Sequence, residues 1–211
     1  MLPSWEQLFE GFVMLISDDK ALLFVHIQKT GGTSLTQYFQ NNISDLILYQ
    51  RHHSPISEAE SKFLSYFKVA FVRNPYDRLV SWYHAIDRKR DRIESANYMQ
   101  KQVLKRANSF KEFILNCEDV QSKVGWLPFK NNQLDYLTDK NGKVIVDFIG
   151  RFETYEESVK LLLHMLDMPV SDIPHINKTN HTRYQDYYDS QTKAIVAKRF
   201  ERDLEFFKYR F

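Results

Sequence analysis

The apolar run ALLFVHI, residues 21–27, passes without a break into Gln28-Lys29-Thr30-Gly31-Gly32-Thr33-Ser34 and then into a helical stretch over residues 35–41. A run with no polar alternation belongs to a strand buried on both faces, so the chain has to cover a sheet from two sides. A second such run, KVAFVR at 68–73, leads straight into Asn74-Pro75, which puts proline at the first position of the next helix. Strands alternating with helices predict an α/β fold with a central, mainly parallel sheet flanked by helices. Ligands of such sheets bind beyond the carboxyl ends of the strands, where both segments lie.

The rest of the chain supplies further elements. Ser4 with Gln7 reads as a capping box opening a short amphipathic helix, and Ser57 with Glu60 as another, for a helix running to about Phe67. Residues 46–49 are a short strand candidate. Periodic, charged sequence over 76–117 is helical, with a capping box at Ser109 and Glu112. The turn signal Asp139-Lys140-Asn141-Gly142 precedes an apolar run at 144–152, and Thr154 with Glu157 caps a helix ending near Met168-Pro169. Residues 170–189 read as loop and 190–206 as the last helix. No repeat or linker divides the sequence, so residues 1–211 are expected to form a single domain, and an apolar content of 43% suits one real core.

Lys plus Arg number 29 against 27 for Asp plus Glu, so no nucleic-acid partner is implied and any anion site has to be local. The lone Cys117 excludes an internal disulfide framework, fits a reducing compartment, and sits in an apolar, acidic run as a structural thiol. Residues 12–16 fall far short of the roughly 18–20 apolar residues of a membrane span, and Trp5, Glu6, Gln7 and Glu10 are the wrong flank for a secretory signal. The expectation is a soluble, cytoplasmic protein, and a short chain without an anchor points to a bacterial source.

Two segments have the chemistry of anion sites. Gly31 and Gly32 permit a tight turn and close backbone approach, while the following helix presents unpaired N–H groups at the positive end of its dipole. Lys29 adds a full charge, and Thr33 and Ser34 add hydroxyl donors. The nucleotide-triphosphatase pattern GxxxxGK[ST] is absent, which argues against a kinase. Arg73 stands at the end of a buried strand, where its charge calls for a partner, and Ser81 lies nearly two turns along the next helix. A guanidinium fork and a hydroxyl so placed can clamp a second phosphate. The plain alternatives are a glycine turn with a helix cap, and an Arg73 paired with Asp77 or another carboxylate.

FVHIQKTGGTSL followed by FVRNPYDRLVSWY resembles the sulfotransferase superfamily, in particular the carbohydrate branch that includes heparan sulfate 2-O- and 6-O-sulfotransferases. VDFIGRFETYEESVKLLLHML, IPHINKT and DLEFFKYRF extend the resemblance over most of residues 21–211. It implies a P-loop-like sulfotransferase fold and 3′-phosphoadenosine 5′-phosphosulfate (PAPS) as co-substrate. Carried over by position, Lys29, Thr30, Gly31, Gly32, Thr33 and Ser34 form the 5′-phosphosulfate site. Arg73 and Ser81 hold the 3′-phosphate.

Sulfuryl transfer requires charge stabilisation at the leaving phosphate, for which Lys29 is the candidate, and a base for the acceptor hydroxyl. No metal-ligand cluster is visible in the sequence, and a sulfuryl group carries less charge than a phosphoryl group, so no metal is expected. Members of this branch often carry a base histidine ahead of the arginine motif, and the loop RHHSP offers His52 and His53. A histidine followed by Ser favours His53, although the doublet stays open. The family's other solution, a glutamate near the first motif, is missing because position 28 is Gln. His26 reads as a sheet histidine, and His84, His164 and His181 have no clear role.

Lesser candidates are Asn177, Lys178 and Thr179 over the nucleotide, the basic run 88–92 with Lys105-Arg106 for an acidic polysaccharide, and residues 126–133 along an acceptor cleft. Arg151 and Glu153 read as a structural ion pair. The expected acceptor is a carbohydrate hydroxyl, with lipid, phenolic or peptide acceptors as alternatives. The competing function is a nucleotide-binding protein of the same fold without transferase activity.

Overall fold

A computed structural model describes residues 13–49, 56, 59, 61–123, 125–170 and 182–211. The chain divides into two compact units, Met1–Arg73 with Gln133–Lys178 and Asn74–Asn132 with Thr179–Phe211.

The first unit holds a five-stranded sheet in the order β3-β1-β2-β4-β5, with β1 Val13–Ser17, β2 Leu22–His26, β3 Ile47–Tyr49, β4 Phe67–Val72 and β5 Phe148–Arg151. β2 is central and buried throughout, as its unbroken apolar run requires. Leu22 and Phe24 enter a core with Leu35 and Phe39 of α1 (Gly32–Asn42) and Val159 and Leu162 of α5 (Tyr155–Met165). Leu23 and Val25, on the opposite face of the strand, are equally enclosed.

The sheet is mixed, which corrects the expectation of a mainly parallel one. β2 pairs with β4 and β4 with β5 in parallel, whereas β1 runs antiparallel to both β2 and β3. β1 lies where the sequence had only a short apolar run after a presumed helix, and such runs do not distinguish strand from helix by periodicity. Ladder pairing on both sides settles the matter. The capping pair Ser4 and Gln7 lies outside the described residues.

Other departures have local causes. The helix expected from Ser57 to Phe67 is a 3₁₀ turn, Ser61–Ser65, and its two capping residues lie outside the described residues. The run at 144–152 pairs as a strand only over Phe148–Arg151. Thr154 precedes α5 but makes no side-chain cap. The last helix breaks at Phe200, fully buried, into α6 (Ser190–Arg199) and α7 (Glu201–Phe206).

The second unit packs α2 (Pro75–Asp87), α3 (Tyr98–Arg106), α4 (Phe110–Asn116), α6 and α7 around aromatic side chains. Phe129 is edge-on to Trp82 and Phe113, and Tyr76 to Tyr188 and Phe211. Among the described residues no helix is long and apolar enough to cross a membrane.

Candidate active site

The parallel pairing of β2 and β4 puts Val25 beside Ala70, so both strands deliver their carboxyl ends to one edge of the sheet. Beyond β2 the chain turns through Lys29 at φ 68° and Gly31 at φ 86°. Lys29 is thus held in a left-handed conformation that non-glycine residues seldom adopt, a strain that persists only where the surroundings impose it. The Thr30 hydroxyl is turned inward and donates to the Ile27 carbonyl at 2.7 Å, so this side chain braces the turn. Gly31 occupies the N-cap of α1 and, having no side chain, contributes no side-chain cap. The first-turn N–H groups of α1 and the positive end of its dipole therefore form a site suited to an anion. Thr33 is exposed at its rim and Ser34 half-buried.

Two rings fix this turn from beneath. A methyl group at Gly32 would lie 2.2 Å from Cδ2 of His26, and one at Gly31 would lie 2.6 Å from Cε2 of Tyr155. The Tyr155 hydroxyl donates to the Gly31 carbonyl at 2.9 Å. Burial pushes the Tyr155 phenol up, so it remains a protonated donor.

Arg73 follows β4 and is 4% exposed. Its backbone is clamped by the fully buried Gln133, whose Oε1 accepts from Arg73 N at 2.9 Å and whose Nε2 donates to Arg73 O at 2.8 Å. The guanidinium donates from Nη1 to the Lys29 carbonyl at 3.2 Å and stacks over the Phe152 ring at 3.9 Å. The structure therefore brings Arg73 and the Lys29–Gly31 turn together. In the second unit, Asn74 caps α2 by accepting from Tyr76 N at 3.1 Å and donates from Nδ2 to the Arg210 carbonyl at 2.7 Å. Ser81, on the second turn of α2, is buried.

The model of the sulfotransferase family matches residues 13–210. The chain belongs to the sulfotransferase family. Among curated proteins it is similar to carbohydrate sulfotransferase 10 of Xenopus laevis, 24% identical over 93% of this chain and 67% of that protein. It is also similar to human carbohydrate sulfotransferase 9, 25% identical over 90% of this chain and 47% of that protein. The chain thus spans about half to two thirds of the length of these relatives. No solved structure matches it.

Membership makes the chain a transferase and gives the remaining sequence candidates a frame. His52 and His53 lie outside the described residues, as do Asn177, Lys178, Thr179 and His181. His26 is enclosed, with its imidazole pushed down to about 4 by burial, and serves the turn as packing. His84 is hydrogen-bonded to the Tyr187 hydroxyl at 2.8 Å, and His164 is exposed on α5. Cys117 is buried, and burial raises its thiol to about 11, which leaves it protonated and inert.

In the stretch 126–133, Trp126, Phe129 and Gln133 are buried, whereas Lys130 is exposed and Asn131 and Asn132 are half-buried. Within the basic run, Arg90 is tied to Asp87, Asn108 and the Ala107 carbonyl. As supports of the site, Phe152 and Tyr155 are marked in the sequence only by the neighbouring aromatics of GRFETY, and Gln133 carries no local mark of that role.

Proposed function

We propose that the chain transfers the sulfuryl group of PAPS to a hydroxyl of a carbohydrate acceptor, with residues 1–211 acting as one sulfotransferase domain and the segment 22–42 as a phosphate-loop-like cradle. The observation that carries this reading is the buried Arg73, its guanidinium bonded to the carbonyl of Lys29, beside the glycine N-cap of α1. Two cationic side chains and a helix N-terminus at one turn fit a ligand with more than one anionic group, and a phosphosulfate with a second phosphate is such a ligand.

In this reading the backbone N–H groups of Gly31, Gly32, Thr33 and Ser34, with the last two hydroxyls and the N–H of Thr30, hold the 5′-phosphosulfate. Arg73 and Ser81 hold the 3′-phosphate. Lys29 neutralises charge on the bridging oxygen as the sulfur–oxygen bond to the nucleotide breaks and the bond to the acceptor oxygen forms. His53 takes the acceptor proton, a role to which histidine is suited among side chains. The carbohydrate acceptor rests on the names of the two relatives, both carbohydrate sulfotransferases.

Transfer of radiolabel from PAPS to a panel of unsulfated and partly sulfated saccharides, after exhaustive chelation, tests the reading. Labelled saccharide is the expected product, and chelation should not reduce its yield. Tight nucleotide binding with no transfer to any acceptor would leave a nucleotide-binding protein. Loss of transfer on chelation, restored by one metal, would overturn the metal-free chemistry.

A further inference from the structure

Phe152 stands between the two anion-binding segments. It opens the turn Phe152–Thr154 that links β5 to α5. The Arg73 guanidinium lies 3.9 Å over its ring, and a methyl group at Gly31 would come within 3.3 Å of its Cδ2. Next to it, with ring centroids 6.2 Å apart, Tyr155 donates to the Gly31 carbonyl. Arg73 completes a closed ring of contacts by donating to the Lys29 carbonyl. One aromatic side chain therefore lies under the cation at the end of β4 and borders the space that a side chain at Gly31 would occupy.

A guanidinium on its flexible stem has to be ordered before it can bind an anion with two parallel bonds, and that ordering opposes binding. Stacking on a ring face removes most of the freedom in advance and leaves the N–H donors in the guanidinium plane, pointing past the ring edge. The same ring fixes how far that plane lies from the Gly31 turn.

We infer that Phe152 is a positioning residue: its ring sets the separation between the Arg73 fork and the Gly31 turn, and so selects nucleotides with anionic groups at both the 5′ and 3′ positions over those with a 5′ group alone. The inference rests on the assignment of the 5′ and 3′ sites proposed above. Phe152 acts through Arg73 and touches no reacting atom.

The test is calorimetry on the full chain with two probes, 3′-phosphoadenosine 5′-phosphate and AMP. The native chain should prefer the first. Phe152→Leu keeps apolar bulk but has no ring face, and should weaken the bisphosphate by roughly 3- to 30-fold, the range of a cation–π contact, with AMP affinity unchanged. Phe152→Tyr should restore the preference. Equal losses for both ligands would reduce Phe152 to ordinary packing, and no loss for either would likewise overturn the inference.

A native chain that binds both probes equally would instead remove the 3′ assignment beneath it, and the inference with it. Should Phe152→Leu fail to fold, fluorinated phenylalanines at position 152 keep the shape while draining the ring face of charge. A stepwise fall in bisphosphate affinity with fluorine count is then expected, and a flat series overturns the inference.

Discussion

The imidazole of His26 packs so closely against Gly32 that a Cβ there would lie 2.2 Å from its Cδ2 and 2.5 Å from its Nε2. His26 is 4% exposed and stacks on Phe24 with centroids 5.9 Å apart, which limits any retreat. Gly32 is therefore demanded by packing as well as by any close ligand approach. Gly32→Ala should lower unfolding free energy by about 2 kcal/mol in denaturant titration, as overpacking does. Thr33→Ala, one position on and exposed, should stay within about 0.5 kcal/mol of the parent. Adding His26→Ala to Gly32→Ala should recover part of the loss, because the two residues share one space.

The same enclosure makes stability pH-dependent. Burial lowers His26 from 6.5 to about 4, so in this range the unfolded chain takes up a proton that the folded chain refuses. Its contribution is fully present above about pH 6.5 and is lost as pH falls towards 4. Between pH 6.5 and 5, before most carboxylates titrate, the loss should be roughly 1.5 kcal/mol. Thermal and denaturant unfolding of His26→Gln should show that slope flattened, and an unchanged slope would acquit His26.

What could be read from the sequence follows from how local each cause is. ALLFVHI and KVAFVR announce buried strands by themselves, and Asn74-Pro75 announces a helix start. β1 does not, since its hairpin to β2 turns through Ala21 at φ 44° with no glycine or asparagine to mark it. That turn is held by Asp45, which accepts from the Ser17 hydroxyl at 2.7 Å and from Asp19 N at 2.9 Å. A cause 26 or 28 residues away leaves no local trace. The candidate site divides in the same way. The QKTGGTS turn and Arg73 are visible as residue types in a pattern, whereas Gln133, 60 residues from Arg73, becomes a support only when the turn Gln133–Tyr136 meets the end of β4, and the Phe152 ring only once β4 and β5 pair.

Arg73→Ala should weaken 3′-phosphoadenosine 5′-phosphate by on the order of 2–4 kcal/mol, the scale for a charge-assisted, partly buried contact. AMP should bind Arg73→Ala about as well as the parent. Gln133→Leu should act differently: it strips both partners from the Arg73 backbone and should cost stability, about 1–3 kcal/mol, before it affects ligand preference. Melting temperature and calorimetry on the same samples separate the two effects.

The base is tested by a three-way comparison of turnover and nucleotide affinity. If His53 accepts the acceptor proton, His53→Ala should reduce turnover about 10²- to 10⁴-fold, the usual range for a lost general base. Affinity for 3′-phosphoadenosine 5′-phosphate should change little, because a base facing the acceptor does not touch the phosphates. His52→Ala should be much milder. Lys29→Ala should differ from both, since a charge at the turn acts on the bound nucleotide as well as on the leaving group, so affinity and turnover should fall together. The Arg73 bond to the Lys29 carbonyl survives that substitution, because it uses the backbone, so the loss reports the ammonium and not the turn. A His52→Ala variant that loses turnover while His53→Ala retains it would reverse the doublet. If both histidine variants remain active, the base lies outside the RHHSP loop and the acceptor half of the proposed mechanism has to be rebuilt around another group.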